Sequence, residues 1–287
     1  MKENEVINST FDGVSANQTA KAQFRLCSRM EVIPGKELEE KFAKMKAWGI
    51  EGAEVNVPLY GREDAIRTAL ANAGLTAAMT NFGSNPGNII SPNPEQRQLG
   101  IDSMKRKLEA AARVGCLGML YVPLFGAPKE GETNQGIRAR LVDVLHPLAE
   151  FAAEHGTSIV FEPLCRMETS FLNRVSDGAA ICRDVNSEGM KVMGDFYHMS
   201  IEETSMMGAF ISGGRWLAHV HLAGGLSDPK RSIPGQNRSR YVEGFRGLKY
   251  VGYDHFCSFE CSVHGDREVE IPKAIAFLKK EWELAVV

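Results

Sequence analysis

The run Val192-Met193-Gly194-Asp195 has the composition of a short buried β-strand and ends on a carboxylate. Three other apolar runs of the chain also end on an acidic or imidazole side chain, at Glu162, His221 and Glu260. A helical run separates each of these residues from the next, so they lie about one β/α unit apart. Because the carboxyl ends of parallel strands lie at one edge of a sheet, the pattern predicts that these side chains converge.

The alternation of strand and helix extends outward from this run over the whole chain. It predicts strands at residues 24–27, 53–56, 77–82, 118–122, 158–161, 192–195, 217–222 and 256–259. Helical runs follow the strands, including a short helix predicted near residues 201–209. The repeated β/α units predict an α/β protein, a single-domain (β/α)8 TIM barrel over residues 21–287. An open doubly wound sheet is the alternative, weakened because no G-x-G-x-x-G motif follows the first strand.

The charge balance argues against a nucleic-acid partner. The chain of 287 residues carries 33 Lys and Arg against 36 Asp and Glu, a net charge of -3. A nucleic-acid-binding protein usually shows a clustered basic excess, so a small molecule is the predicted ligand. No apolar run reaches the roughly 18 residues of a membrane-spanning helix, which predicts no membrane partner.

The first residues and the cysteines favour a cytoplasmic protein. Residues 1–20 are polar and rich in Asn, Ser and Thr, without the apolar segment of a signal peptide, and predict a flexible N-terminal extension. The six cysteines form no C-x-x-C pair. Their apolar surroundings favour buried, reduced thiols over disulfides or a zinc ribbon.

The four converging side chains predict a site for one divalent metal ion. A carboxylate at the end of an apolar strand is costly unless it is paired or bound to a cation. Taken singly, each of Glu162, Asp195, His221 and Glu260 is explained by a local hydrogen bond, but three carboxylates at one rim repel one another. Three oxygen donors and one imidazole nitrogen favour Mn²⁺ or Mg²⁺, with Co²⁺, Fe²⁺ and Zn²⁺ as competitors.

Four motifs in the second half of the chain resemble those of the xylose-isomerase-like sugar isomerases and epimerases. They are EPLCRMETSFLN at 162–173, GDFYHMSIEE at 194–203, HVHLA and RSIPG within 219–235, and GY and SFEC within 252–261. The branch that they resemble most is that of the ketose 3-epimerases of the tagatose or psicose type. The first half of the chain matches this family only in its alternation of strands and helices.

The resemblance implies a metal-dependent isomerase with Mn²⁺ as the first candidate. It places the metal ligands on Glu162, Asp195, His221 and Glu260, and it makes Glu162 and Glu260 catalytic. One glutamate removes a proton next to the carbonyl of an open-chain ketose, an ene-diolate forms, and the other glutamate returns a proton. The residues do not separate epimerisation from aldose–ketose isomerisation. The alternatives are a keto-inositol-type dehydratase, an apurinic-site endonuclease and a barrel that binds sugar without catalysis.

The resemblance also implies that Glu168, His198 and Arg231 contact the substrate, a sugar or sugar phosphate. Glu168 has an alternative role as the ion-pair partner of Arg166. The chain departs from the family at Cys165, where asparagine is usual. The resemblance further implies a homodimer or homotetramer.

The loop before Arg231 is longer than in the family, so Lys230 is a rival for its role. Gly224 and Gly225 in this loop are either a flexible turn or a backbone site for a phosphate. Several aromatic residues near strand ends either form an apolar wall for the substrate or pack in the core: Trp48, Tyr60, Phe82 and Phe196.

Overall fold

Parallel strands close into a barrel in the computed structural model, which describes residues 21–287. The strands are β1 (Arg25–Arg29), β2 (Gly52–Glu54), β3 (Thr76–Asn81), β4 (Gly118–Tyr121), β5 (Ile159–Phe161), β6 (Met190–Asp195), β7 (Leu217–Leu222) and β8 (Phe256–Phe259). Each strand pairs with its neighbours in sequence, and β1 also pairs with β8. The predicted barrel is confirmed, and the open sheet is wrong. The extension predicted at residues 1–20 lies outside the described residues.

Helices surround the barrel and connect its strands. They are α1 (Leu38–Ala47), α2 (Glu63–Ala73), α3 (Pro94–Val114), α4 (Asn134–Glu154), α5 (Val175–Val185), α6 (Phe196–Glu202), α7 (Met206–Gly213), α8 (Val242–Tyr250) and α9 (Arg267–Leu284). Among residues 21–287, no helix is both long enough and apolar enough to cross a membrane.

The single helix predicted near residues 201–209 is wrong, because two helices meet there. The Asp195 carboxylate accepts the Tyr197 backbone N–H at 2.7 Å and caps the start of α6. The Ser205 hydroxyl accepts the Gly208 N–H at 3.0 Å and caps α7. Each cap satisfies a backbone donor that has no partner within its helix. The first cap also fixes the orientation of the Asp195 side chain directly after β6.

An apolar layer fills the centre of the barrel below its polar mouth. Its side chains are those of Met79, Leu120, Val160 and Met193. Because side chains alternate along a strand, Glu162 points the same way as Val160, and Asp195 the same way as Met193. The two carboxylates therefore lie one layer above this apolar floor.

The first two strands also deliver charged residues to the mouth. β1 continues to Arg29, two residues beyond its predicted end, and β2 ends at Glu54. Arg29 and Glu54 are partners in the register between these strands. Their side chains are consequently neighbours at the same end of the barrel as the predicted metal ligands.

Candidate active site

The four predicted metal ligands meet at the mouth of the barrel. One donor atom from each of Glu162, Asp195, His221 and Glu260 lies within 4.8 Å of those of the other three. The His221 Nδ1 atom is 2.8 Å from Glu260 Oε2, 3.2 Å from Glu162 Oε1 and 3.7 Å from Asp195 Oδ2. The imidazole nitrogen and the three carboxylates thus surround one point.

The surroundings keep the carboxylates of Asp195 and Glu162 ionised although they are buried. Asp195 and His221 are 0% exposed and Glu162 is 9% exposed. Burial opposes ionisation of Asp195, but the Arg231 guanidinium and the nearby imidazoles hold its pKa below the usual range. Burial likewise opposes ionisation of Glu162, yet His221 lowers its pKa. Burial disfavours protonated His221, but the carboxylates of Glu54 and Glu162 outweigh it and raise the pKa.

This donor set can hold a divalent cation. Three carboxylates carry more negative charge than the two guanidinium groups beside them balance. Arg231 Nη2 lies 2.9 Å from Asp195 Oδ2 and 2.5 Å from Glu260 Oε2, and Arg29 contacts Glu260 Oε1. An ion at the point that the ligand atoms share would compensate the remainder. Oxygen-rich ligation with one imidazole suits a hard or borderline divalent ion.

Arg231, rather than Lys230, belongs to this site. Its guanidinium lies over the Tyr197 ring at 4.7 Å from the ring centre, whereas Lys230 is exposed. The Arg231 backbone has a φ of 48°, in the left-handed region that side-chain-bearing residues rarely adopt. Such strained positions concentrate at functional sites, where the surrounding structure holds them.

The glycine pair in the loop before Arg231 is not a backbone site for phosphate. The Gly224 N–H donates to Ser232 O at 2.7 Å, and the Gly225 N–H donates to the Ser239 hydroxyl at 2.8 Å. A Cβ on Gly224 would lie 2.1 Å from the Asn237 side-chain nitrogen. The predicted phosphate site is therefore wrong, because both N–H groups are already bonded and neither is free to bind an anion.

His198 presents a hydrogen-bond donor to the cavity. Its Nδ1 accepts the Cys165 backbone N–H at 3.1 Å, so in the neutral ring the proton is on Nε2. The Nε2 atom lies 3.7 Å from Asp195 Oδ2 and 3.2 Å from Arg231 Nη1. The ring is 2% exposed. Cys165 therefore takes part through its backbone, which reduces the significance of the departure from asparagine.

Glu168 is free to face the substrate. Arg166 pairs with Glu202, with Nη2 2.7 Å from Oε2, and its backbone N–H also donates to Glu202 Oε1 at 2.6 Å. The alternative ion pair between Arg166 and Glu168 is therefore wrong. Glu168 lines the cavity, with Oε1 3.9 Å from His198 Nδ1.

A cavity of about 590 Å³ opens above the cluster, a size typical of small-molecule sites. Of the four aromatic residues considered from the sequence, Phe82 lines this cavity. Phe196 packs in the core, with its ring centre 4.8 Å from that of Tyr241. Tyr121 and Phe125, which the sequence did not single out, also line the cavity. The remaining two aromatics, Trp48 and Tyr60, lie outside its lining.

Sequence reasoning missed two charged residues of the site, Glu54 and Arg29. Glu54 is 1% exposed, and its Oε1 lies 2.8 Å from His219 Nε2 and 2.9 Å from His221 Nε2. Burial opposes its ionisation, but the two imidazoles hold its pKa well below the usual range. Arg29 contacts Glu260, and its Nε lies 3.3 Å from Glu54 Oε2. A carboxylate inside the predicted strand 53–56 was the signal for Glu54.

A closed β/α barrel with carboxylates and an imidazole converging at the strand ends defines a class of barrel enzymes that act on small molecules at this face. The chain belongs to the xylose isomerase-like TIM barrel family, whose model matches residues 42–281. This finding confirms the family that the sequence motifs predicted.

Its relatives include epimerases and a 2-oxo-tetronate isomerase. The 3-dehydro-D-guloside 4-epimerase of Escherichia coli (strain K12) is 28% identical over 237 residues, 79% of this chain and 88% of the relative. A D-psicose 3-epimerase of Ruminiclostridium cellulolyticum is 28% identical over 223 residues, 75% of this chain and 74% of the relative. The crystal structure of apo 3-keto-D-glucoside 4-epimerase from E. coli has a TM-score of 0.79 and 25% identity, and the match covers 90% of this chain and 100% of that one. The protein is therefore an enzyme of the isomerase and epimerase class.

Proposed function

We propose that the protein is a metal-dependent epimerase or isomerase of an open-chain keto sugar. Glu162, Asp195, His221 and Glu260 hold one divalent cation, with Mn²⁺ as the first candidate. The observation that supports this most is the convergence of their donor atoms within 4.8 Å at the base of one cavity. The sugar substrate is inferred from the relatives, whose names specify keto glycosides and psicose.

Glu162 and Glu260 are the proposed proton carriers. A divalent cation bound at the cluster supplies Lewis-acid polarisation of the substrate carbonyl. Both glutamates line the cavity and follow β5 and β8, three strands apart in the closed ring. One carboxylate takes the proton from the carbon next to the carbonyl, which leaves an ene-diolate, and the other returns a proton from its own side. Two flanking carboxylates favour return to the opposite face, and hence epimerisation.

The other cavity residues orient the sugar. The Nε2–H of His198 donates to a hydroxyl oxygen, Glu168 accepts from a hydroxyl, and Arg231 donates to an oxygen near Glu260. These contacts place the reacting carbon between the two proton carriers, and such positioning contributes strongly to rate. Because the Gly224 and Gly225 N–H groups are already bonded, we favour an unphosphorylated sugar over a sugar phosphate.

The test is solvent deuterium exchange in D₂O. The enzyme with Mn²⁺ is incubated with ketohexoses, ketopentoses, their phosphates and keto glycosides, and the products are analysed by NMR. We expect deuterium at the carbon next to the carbonyl, loss of exchange after removal of metal with EDTA, and recovery with Mn²⁺. Exchange that EDTA leaves unchanged would refute the metal dependence, and no exchange with any substrate would refute the function. Release of water with a new enone absorbance would instead identify a dehydratase.

Two further expectations stay predictions. The resemblance implies a homodimer or homotetramer, which sedimentation of the purified protein would measure. The cytoplasmic location also stays a prediction.

A further inference from the structure

Glu54 is a buried carboxylate that the proposed mechanism does not use. It lies at the end of β2, across the barrel from β5 and β6, whose ends carry Glu162 and Asp195. Its exposed fraction is 1%. A carboxylate so completely removed from water is costly unless it is hydrogen-bonded and paired. Its partners therefore indicate what it does.

Two imidazoles of β7 meet the same oxygen of Glu54. Its Oε1 is 2.8 Å from His219 Nε2 and 2.9 Å from His221 Nε2. A carboxylate accepts hydrogen bonds, so each imidazole donates a proton from Nε2. In the neutral ring, the form that can bind a metal ion, the lone pair is then on His221 Nδ1, and this is the atom that faces Glu162, Asp195 and Glu260.

Arg29 occupies the other side of Glu54. Its Nε lies 3.3 Å from Glu54 Oε2, and its Nη1 contacts Glu260 Oε1. The other oxygen of Glu260, Oε2, faces His221 Nδ1 at 2.8 Å. The Arg29 guanidinium therefore forms ion pairs with Glu54 and Glu260, although its Nε makes no hydrogen bond within residues 21–287 and also lies 3.5 Å from Glu31 Oε1. One oxygen of Glu54 and one of Glu260 stay directed at His221.

We propose that Glu54 and Arg29 are a positioning pair for the metal ligands His221 and Glu260. Glu54 holds His221 with its proton on Nε2 and its lone pair at the shared point. Arg29 fixes the rotation of Glu260 and of Glu54. This inference rests on the proposed metal site. Carboxylates behind metal-binding histidines act in this way in general, and their loss commonly costs about 10- to 100-fold in metal affinity or activity.

The test begins with the Mn²⁺ dissociation constant, measured by calorimetric titration of the metal-free full chain. We expect Glu54→Leu to raise this constant about 10- to 100-fold. Glu54→Gln removes the charge but keeps an oxygen that accepts from His221, so it should recover most of the affinity. This recovery separates positioning from a simple loss of negative charge.

Thr80→Val is the matched control for lost stability. Thr80 is also 1% exposed, lies on the neighbouring strand β3 and donates to Val55 O at 2.8 Å. The substitution removes a buried hydrogen bond, so it should lower the unfolding temperature while Mn²⁺ affinity stays unchanged. An equal loss of affinity in Thr80→Val and Glu54→Leu would reduce Glu54 to a general structural role and overturn the inference.

Arg29→Lys tests the other member of the pair. Lysine keeps the charge but loses the planar fork that bridges two carboxylates. We expect turnover to fall about tenfold with the KM for the sugar unchanged. A rise in KM alone would show that Arg29 binds substrate and does not position Glu260.

A measurement on the unaltered protein completes the test. In ¹⁵N-histidine-labelled protein loaded with diamagnetic Zn²⁺, His221 should carry its proton on Nε2 with Nδ1 bound to the metal. Because the protein has seven histidines, His219→Asn and His221→Asn identify the resonances of these two rings. A proton on Nδ1, or wild-type Mn²⁺ affinity in Glu54→Leu, would overturn the positioning pair and leave the metal site intact. Absence of metal binding by the wild type would refute the proposed function itself.

Discussion

The two halves of the barrel contribute different chemistry to the same mouth. Strands β5 to β8 bring the donor atoms that surround one point, those of Glu162, Asp195, His221 and Glu260. Strands β1 and β2 bring Arg29 and Glu54, which contact those residues from behind. Phe82 follows β3, Tyr121 ends β4 and Phe125 lies in the loop after β4, and all three line the cavity. One half therefore supplies ligands, and the other supplies support and shape.

The neighbours of each carboxylate account for this difference. Glu54 contacts two imidazoles and one guanidinium, so its charge is compensated within the protein. Asp195 and Glu260 share the Arg231 guanidinium, Glu260 also contacts the same Arg29 as Glu54, and Glu162 depends mainly on His221. Uncompensated negative charge therefore collects in the second half. A buried carboxylate at a strand end therefore indicates a metal ligand only where neighbouring cationic side chains do not balance the negative charge.

We expect the largest loss of activity when a proposed proton carrier of the second half is replaced. Glu260→Gln removes a proposed proton carrier and a proposed metal ligand together, so we expect kcat/KM to fall at least about 10²- to 10⁴-fold. Steady-state kinetics with the substrate found by deuterium exchange measure the effect. Glu150→Gln, at an exposed position of α4, is the control and should retain activity. Unchanged turnover in Glu260→Gln would remove Glu260 from the catalytic machinery.

We expect a loss of activity of intermediate size at Arg231 and none at the adjacent cation Lys230. Arg231→Ala should lower kcat/KM about 10- to 100-fold, because a charge-assisted hydrogen bond contributes about 1.5–3 kcal/mol. Its Mn²⁺ affinity should not weaken, since the lost guanidinium competed for the oxygens of Asp195 and Glu260. Lys230→Ala should match the wild type in both measurements because Lys230 is exposed. Equal losses in the two variants would contradict the assignment of Arg231.

The second half of the site was readable from the sequence because its polar residues stand at the ends of clear apolar runs. The predicted limits of β7 and β8, 217–222 and 256–259, agree with the structure. Arg29 was missed for the opposite reason. The apolar run of β1 stops at Cys27, but the backbone pairs onward through Ser28, opposite Phe259, and Arg29, opposite Glu54. The strand is therefore longer than its apolar composition predicts, because it pairs with the strands on both sides.

Glu54 and the cavity wall depend on closure of the barrel. Glu54 contacts His219 and His221, which lie more than half the chain away, on the opposite side of β1 and β8. Strand composition carries no information about which side chains meet across a barrel. Phe125 stands in the loop after β4 with 65% of its surface exposed. Its place in the cavity depends on loop geometry that apolar periodicity does not specify.

A smaller effect should appear in the pH dependence of stability, through the loop after β5. Glu202 of α6 is 5% exposed and accepts the Arg166 backbone N–H at 2.6 Å and the Arg166 Nη2 at 2.7 Å. These bonds to Arg166 lower the pKa of Glu202. They tie the segment that follows Glu162 to the helix that follows Asp195. In the first half, by contrast, Arg29 and Glu54 contact the proposed metal ligands directly.

Because the folded-state pKa of Glu202 is depressed, its stabilising contribution is complete above its unfolded pKa of about 4.3 and is lost as the pH falls through the folded value. Glu202→Gln should therefore lower the free energy of unfolding by about 1–3 kcal/mol at pH 7. The difference from the wild type should shrink below about pH 4. Urea denaturation at several pH values measures it, with Glu150→Gln as the control. If the difference in the free energy of unfolding stays constant down to pH 3, the charge of Glu202 does not hold this loop. The proposed ligands of the second half would then be kept in place without this ion pair.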